Sequence, residues 1–371
     1  SSVLSYSALS IHFLELGNAN TGDCTYIKVG DNDILIDAGS AKGSAATITS
    51  YLEDSSRGDD YVKDGKLEYV IATHAHNDHI SGFVGNTKAG EAGGKDGILY
   101  HFKVDNLLDF SYFDNGSKSF DNTLTSLPSS ETSVTTAIYE NYVLARNYAI
   151  SQGTNWKTAG QVWNSGNEAD RVISLGEGVS LKLIYNYFYD HTSSDVASLD
   201  ASYTKSGFSD QNDDSVCVLL SQGSKNFLFT GDAEAYAEHS LVKYNTLPEV
   251  ELFKGGHHGS YTASGTELLA QIKPKMVCIC CCAGNQEYAK TASHSFPAQE
   301  MIDRVAPYTS RVYVTTLGDW NDSSVYSSFN GNICVYYSSS GEESLKCSNN
   351  NTILKDTDWF KANRTVPSAW A

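Results

Sequence analysis

Short apolar runs recur along the chain, and most of them stop at a glycine, an aspartate or a histidine cluster. Ser10 to Leu16 (SIHFLEL) alternates apolar and polar positions, the period of a half-buried strand. Cys24 to Val29 reads as a second strand after a Gly/Asn-rich turn, and Ile34 to Ile36 as a third that ends at Asp37-Ala38-Gly39. Ser44 to Leu52 reads as a helix. Leu67 to Thr73 (LEYVIAT) is a continuous apolar strand suited to burial on both faces, and it runs straight into His74-Ala75-His76-Asn77-Asp78-His79. From 85 to 174 the texture turns polar and rich in Tyr and Gly, with a helix over 133–151. This stretch reads as an insertion or a set of long loops over one face. Strand patterns resume at 180–187, 215–221, 226–230, 250–254, 276–282 and 311–315, with helices after Glu234 and over 297–305. The alternation predicts an α/β fold in two halves of similar make-up, one domain over 1–345 and a peripheral tail at 346–371.

Composition narrows the partners. The chain has 371 residues with 26 Lys+Arg against 44 Asp+Glu, a net charge of −18, and 40% hydrophobic residues. That share supports a sizeable core. No apolar run approaches the roughly 18 residues of a membrane helix. An acidic surface without a Lys/Arg-rich stretch disfavours long nucleic acid, although a metal centre can still handle an anionic ester locally. The chain begins at Ser1 with no charged-then-apolar leader, so an export signal has been removed or was never there. Its Tyr, Ser, Thr and Asn content resembles that of exported bacterial proteins, and a secreted or cell-surface location is the expectation, a cytoplasmic one the alternative. Of eight Cys, four (Cys278, Cys280, Cys281, Cys282) crowd one strand-like segment with no CxxC spacing, which suits small buried hydrophobes better than a disulfide framework. Cys334 and Cys347 are either bridged or separate.

The chemistry concentrates at strand ends. On an extended segment positions i and i+2 point the same way, so His74 and His76 can share one cation. Asp78 and His79, where the chain turns into a helix, can face a second. Three imidazoles and a carboxylate within six residues favour zinc-like ions. Asp232, in Thr230-Gly231-Asp232 after an apolar strand, suits a bridging carboxylate. His257-His258-Gly259-Ser260 follows another strand end, where one imidazole can complete the second metal while its neighbour faces substrate.

As a set, these segments resemble the metallo-β-lactamase superfamily, and within it the ComEC-type competence hydrolase domain and the phosphorylcholine esterase branch. The matching pieces are IHFLELG…GDCTYI, ILIDAG, THAHNDHISG, NDDSVCVLL, FLFTGDAE, LFKGGHHGSYTAS and HSFPAQEMIDRV, in order from residue 11 to 305. The resemblance implies a four-layer αββα sandwich with metals at the edge between two sheets. His74, His76 and Asp232 would hold one ion, and Asp78, His79, Asp232 and His258 the other. His258 is favoured over His257 because the resembled esterases use the second His of their pair. The third-ligand region departs from the family. Where lactamase and glyoxalase branches carry Gly-His-Thr, this chain has Gln211-Asn212-Asp213-Asp214-Ser215, so a carboxylate (Asp213 or Asp214), an amide or water would serve instead. His191 either fills that gap or stacks at the surface. Asp37 either accepts the ring N–H of a ligand His or caps a turn. Oxygen-reducing relatives place Glu where His76 stands, which disfavours redox chemistry.

The expected function is two-metal phosphodiester hydrolysis on a small or cell-surface-linked substrate, with two divalent ions, zinc before manganese, generating a metal-bound hydroxide. Asp78, His257 and His294 are the expected catalytic groups. His257 would neutralise the leaving alkoxide, and His294 would donate to an anionic oxygen or simply open its helix; Ser260 lies close by in sequence. The rival readings are acyl hydrolysis of a lactone, thioester or β-lactam at the same centre, and a non-catalytic surface-binding module.

Overall fold

Eighteen strands carry the chain in a computed structural model that describes residues 5–86, 96–111, 113–114, 117–118, 136–208 and 211–371. They are β1 (Leu9–Phe13), β2 (Thr25–Val29), β3 (Asn32–Ile36), β4 (Lys66–Ile71), β5 (Lys103–Asp109), β6 (Phe113–Asp114), β7 (Ser117–Lys118), β8 (Asn155–Thr158) and β9 (Val172–Gly176). The series continues with β10 (Val179–Leu183), β11 (Val218–Gln222), β12 (Lys225–Phe229), β13 (Leu252–Lys254), β14 (Val277–Ala283), β15 (Val312–Gly318), β16 (Tyr326–Ser328), β17 (Ile333–Tyr337) and β18 (Glu343–Cys347). Sixteen of them form two eight-stranded sheets, ordered β18-β17-β1-β2-β3-β4-β5-β8 and β16-β15-β14-β13-β12-β11-β10-β9, while β6 and β7 make a separate hairpin.

The first sheet is antiparallel from β18 to β3 and parallel from β3 to β8, and the second is parallel from β15 to β12 with antiparallel strands at both ends. The parallel pairs β3–β4 and β12–β13 matter most, because their carboxyl ends deliver the functional loops to one edge. Apolar residues of both sheets, among them Ile11, Phe13, Phe227 and Phe229, share one core cluster. Ile48, Leu52, Ile80, Phe83 and Tyr142, from helices Ser44–Leu52, Asn77–Val84 and Ala137–Ser151, extend that cluster over the outside of the first sheet. On the second sheet, Leu228, Phe253 and Ile279 pack under Leu241, Leu269 and Ile302 of the helices Ala235–Tyr244, Thr266–Ile272 and Gln299–Val305. The layers are helix, sheet, sheet, helix, an αββα sandwich of the α/β class.

The cysteine-rich segment is β14. Cys278 and Cys280 join the core that contains both sheets, whereas Ile279 and Cys281 turn to the helices, the alternation of a strand buried on both faces. All eight cysteines are free thiols, Cys334 and Cys347 included, although those two lie on neighbouring strands.

Two stretches differ from expectation. Residues 85–174, read as an insertion, supply β5 and β8, which extend the first sheet in parallel beyond β4. The predicted helix over 133–151 is observed as Ala137–Ser151, and positions 133–135 lie outside the described residues. A buried polar cluster fixes this region: Asp109 at the end of β5 receives Tyr142 Oη at 2.8 Å, Trp156 Nε1 at 2.7 Å and Arg146 Nη1 at 3.3 Å. The Arg146 guanidinium lies 3.9 Å over the Trp156 ring. Polar residues thus do core work here, which is why their texture suggests loops. The C-terminal stretch is likewise docked, with Leu354, Phe360 and Trp370 buried in the outer core of the second sheet. Among the described residues no helix is long and apolar enough to cross a membrane.

Removing the carboxylate of Asp109 takes the shared acceptor away from Tyr142, Trp156 and Arg146 in the interior, so Asp109→Ala should lower unfolding free energy by about 3–5 kcal/mol. Urea denaturation followed by tryptophan fluorescence measures it, and a midpoint equal to wild type would contradict this role.

Candidate metal centre

Five loops meet at one edge of the sandwich. Thr73 to His76 lead out of β4, and Asn77–Val84 begins at once, which places Asp78 and His79 in its first turn. Asp37 follows β3 and Asp23 precedes the antiparallel β2, so both reach the same edge. Asp232 follows β12 through Gly231, and His257 and His258 follow β13. The backbone is held in uncommon conformations here, with Asp37, His257 and His258 at φ 64°, 48° and 58°. The turn after Asp37 lies so close to the next loop that a side chain at Gly39 would collide with the Asp78 backbone oxygen.

One group of donors converges in the interior. His258 Nε2 lies 2.8 Å from Asp78 Oδ2, 3.3 Å from Asp232 Oδ2 and 3.3 Å from His79 Nε2. His79 Nε2 lies 3.0 Å from Asp232 Oδ2 and 3.7 Å from Asp78 Oδ2. A second group joins it through the same carboxylate: His74, His76 and Asp232 offer ligand atoms within 4.8 Å of one another, with His74 Nε2 3.5 Å from Asp232 Oδ2.

These donors fit cations better than they fit each other. His74 Nε2 and both oxygens of Asp232 are buried without a hydrogen-bond partner, whereas most buried polar atoms in folded proteins have one. Two imidazole nitrogens face each other at 3.3 Å, although at most one of them carries a proton in a hydrogen bond between them. The opposite ring atoms, meanwhile, are anchored. His79 Nδ1 is 2.7 Å from Asp37 Oδ2, His74 Nδ1 is 3.0 Å from Thr73 Oγ1, and Thr73 Oγ1 itself donates to Asp37 Oδ2 at 2.7 Å. Anchoring one ring nitrogen and presenting the other is how a protein orients an imidazole towards a metal.

Asp23 was not singled out in the sequence, yet it is completely enclosed in this centre. Asp23, His79, Asp232 and His258 form one buried group of potential ligands. Its Oδ1 lies 3.0 Å from His258 Nδ1, the ring atom opposite the one facing Asp232, and its Oδ2 pairs with the buried Lys254 ammonium. That side of the ring makes Asp23 an orienting group, whereas Asp78 shares the face on which the donors converge. Burial disfavours the Asp23 anion, but Lys254, His258 and His79 outweigh it and bring its pKa down to about 2. Burial likewise opposes charge on His79 and His258. Asp232 and the other carboxylates nonetheless hold both imidazoles well above their ordinary pKa. The centre is an anionic hole that demands positive charge, supplied by protons or by divalent cations.

Other predicted residues fall around this core. Of the histidine pair, His258 faces Asp78, and His257 turns to the cavity with Nε2 3.8 Å from Asp232 Oδ2 and Nδ1 3.4 Å from Glu234 Oε2. A cavity of about 530 Å³ opens over the site, lined by His76, Asp78, Asn212, Asp232, His257, Ser260, Tyr288 and His294 among others. His294 stacks on Tyr261 at 4.2 Å and pairs with Glu300 at 2.9 Å, so its ring borders the cavity with Nε2 already engaged. Ser260 Oγ bonds Thr262 Oγ1 at 2.7 Å. His191 does not fill the gap in the ligand set. Its ring stacks on Tyr187 at 3.8 Å and pairs with Asp190 at 2.7 Å. Asp213 accepts the Glu234 backbone N–H at 2.9 Å and Asp214 is buried beside it, a structural use of the 211–215 segment that leaves only Asn212 on the cavity. Asp37 takes the outer position beneath His79.

The family model described as "Metallo-beta-lactamase superfamily" matches residues 17–93, a stretch that includes the entire histidine motif. Over that stretch the chain matches the superfamily's model, in keeping with the resemblance seen in its motifs. It is similar to Recombination protein 2 of Haemophilus influenzae (31% identity over 106 residues, 29% of this chain and 12% of that protein). It is also similar to ComE operon protein 3 of Bacillus subtilis (26% over 107 residues, 28% of this chain and 13% of that protein). The matched stretch is thus about an eighth of the length of either relative. Among solved structures, the metallo-beta-lactamase fold protein YhfI from Bacillus subtilis aligns with TM-score 0.42 and 10% identity over 86% of this chain and 99% of that one. A diphosphatase of the PhnP family aligns with TM-score 0.36 and 11% identity over 86% and 98%.

If Asp37 fixes the His79 tautomer, Asp37→Ala should weaken binding of divalent metal by about 10–100-fold while the chain stays folded. Zinc titration against a competing chelator reads the affinity, and an unchanged constant would reduce Asp37 to a turn residue.

Proposed function

We propose that the protein is a metal-dependent hydrolase, and specifically a phosphodiesterase acting on a small or surface-linked phosphodiester. Two divalent cations, zinc before manganese, are its cofactors in this reading. The observation that carries it is Asp232: one buried carboxylate faces two donor groups at once, at the floor of an open cavity. His74, His76 and Asp232 would hold one cation, and Asp78, His79, Asp232 and His258 the other. Cations there supply Lewis acidity towards a phosphoryl oxygen and lower the pKa of water towards neutrality.

The chain's own groups do the remaining work. Asp37 and Thr73 keep His79 and His74 in the tautomers that present Nε2 inwards. Lys254 and Asp23 brace His258 from behind. His257, held at Nδ1 by Glu234, projects into the cavity, where its ring can hydrogen-bond an ester oxygen and pass a proton to the departing alkoxide. Asn212, Ser260 and Thr262 offer further polar contacts along the wall. The net charge of −18 suits a compact substrate that meets the acidic surface only at this centre, rather than a long nucleic acid.

Turnover of bis(p-nitrophenyl) phosphate, p-nitrophenyl phosphate, a thioester and a chromogenic cephalosporin by the metal-loaded protein separates the readings. The diester should be the best substrate. Asp232→Ala should abolish metal-dependent turnover, and His257→Ala should lower kcat by about 10²–10⁴-fold. A preference for thioester or lactam would make this an acyl hydrolase, and full metal content with no turnover of any ester would make it a binding module.

A further inference from the structure

A second convergence of ligand-type side chains lies away from the cavity, on the helix-covered face of the first sheet. On β1, Ile11 and Phe13 belong to the core shared with the second sheet, and His12 points to the opposite side, fully buried. His12 Nε2 lies 3.0 Å from each oxygen of Asp60, 3.0 Å from Ser10 Oγ and 3.8 Å from Cys334 Sγ. Cys334 Sγ in turn lies 3.9 Å from Asp60 Oδ2. On the other side of the ring, Nδ1 is 2.6 Å from Tyr51 Oη.

The order of these groups excludes one familiar use. In a nucleophilic triad the thiol and the acid engage opposite nitrogens of the imidazole. Here both engage Nε2, and Tyr51 holds Nδ1. The ring nitrogen carries at most one proton, and Asp60 already accepts from the Ser10 hydroxyl at 2.6 Å and the Cys334 thiol at 3.9 Å, so the groups are paired by contacts that a cation would replace. A cation at their centre would serve all of them. For metal bonds of about 2.0–2.3 Å, a tetrahedral site has ligand-to-ligand edges of about 3.3–3.7 Å. The imidazole, carboxylate and thiol here are separated by 3.0, 3.8 and 3.9 Å, so each edge needs to adjust by only about 0.1–0.3 Å to reach that range. Asp60 and Cys334 are only partly buried, which leaves an approach for the ion and a fourth position for water.

We propose that His12 Nε2, the Asp60 carboxylate and Cys334 Sγ form a separate metal site that takes Zn²⁺ or a similar borderline cation. It ties β1 to β17 and to the loop carrying Asp60. On binding, the Cys334 S–H bond breaks, its electron pair goes to the metal and its proton to solvent. The His12 ring proton resides on Nδ1 and is donated to Tyr51 Oη. Burial and Asp60 push the Cys334 thiol up to about 12 despite Arg57, so it remains protonated until a cation displaces the proton.

Cobalt titration of the metal-stripped full chain tests this, because only a thiolate ligand produces the intense near-ultraviolet sulfur-to-cobalt charge-transfer band. The donors at the cavity are all nitrogen and oxygen. The expected result is one such band saturating at one thiolate-bound Co²⁺ per chain. It should be unaffected by Asp232→Ala, lost in Cys334→Ser, and shifted to at least about tenfold weaker affinity in Asp60→Asn, which keeps the thiol. No band at saturating Co²⁺, a band that persists in Cys334→Ser, or an unchanged affinity in Asp60→Asn would each overturn the assignment. Circular dichroism of the variants verifies that they are folded.

Discussion

A buried carboxylate without a hydrogen-bond donor is expensive, and Asp232 is the one on which the rest of this molecule depends. Its oxygens lie among His74, His79, His257 and His258, and none donates to it in acceptable geometry. An arrangement of that kind persists only if the surrounding fold over-determines it and if compensating positive charge is available. The sandwich meets the first condition. Asp232 leaves a strand of the second sheet, and His74 and His79 follow a strand of the first, so each sheet's core holds its own ligands rigidly in place.

The outer supports are as specific as the ligands. Asp37 and Thr73 stand behind His79, and Lys254 and Asp23 stand behind His258. Asp37 and Asp23 come from strands other than those carrying the histidines they steady, whereas Thr73 and Lys254 come from the same ones. Close backbone approach at Gly39 is the condition for the Asp37 turn to sit against the Asp78 loop. The positive φ values at Asp37, His257 and His258 mark where the chain accepts local strain to aim these groups.

Most of this was legible where the signal is local. His74 to His79 lie within six residues behind an apolar strand, so their spacing alone points to shared cations. Asp232 and His258 are legible as strand-end residues once that motif is present. Asp23 was not, because a single aspartate in a Gly-rich turn says nothing until the chain folds: its cationic partner Lys254 lies 231 positions away. The role of 85–174 was hidden for the opposite reason. β8 is only four residues long, and the Asp109, Tyr142, Arg146 and Trp156 cluster fills the interior with side chains whose polarity mimics a surface loop. His191 and Asp213 show how residue type can mislead. Both are capable ligands, and both are spent on local partners, Asp190 with Tyr187 and the Glu234 backbone.

Because the inner ligands are divided between the two sheets, the seam and the centre cannot be treated as separate parts. Any cation that prefers the assembled edge favours, by mass action, the state in which the halves are mated. Such an ion would act as a rivet across the edge. Scarcity of metal in the surroundings would then register first as looser apposition of the two slabs, before any individual strand or helix melts.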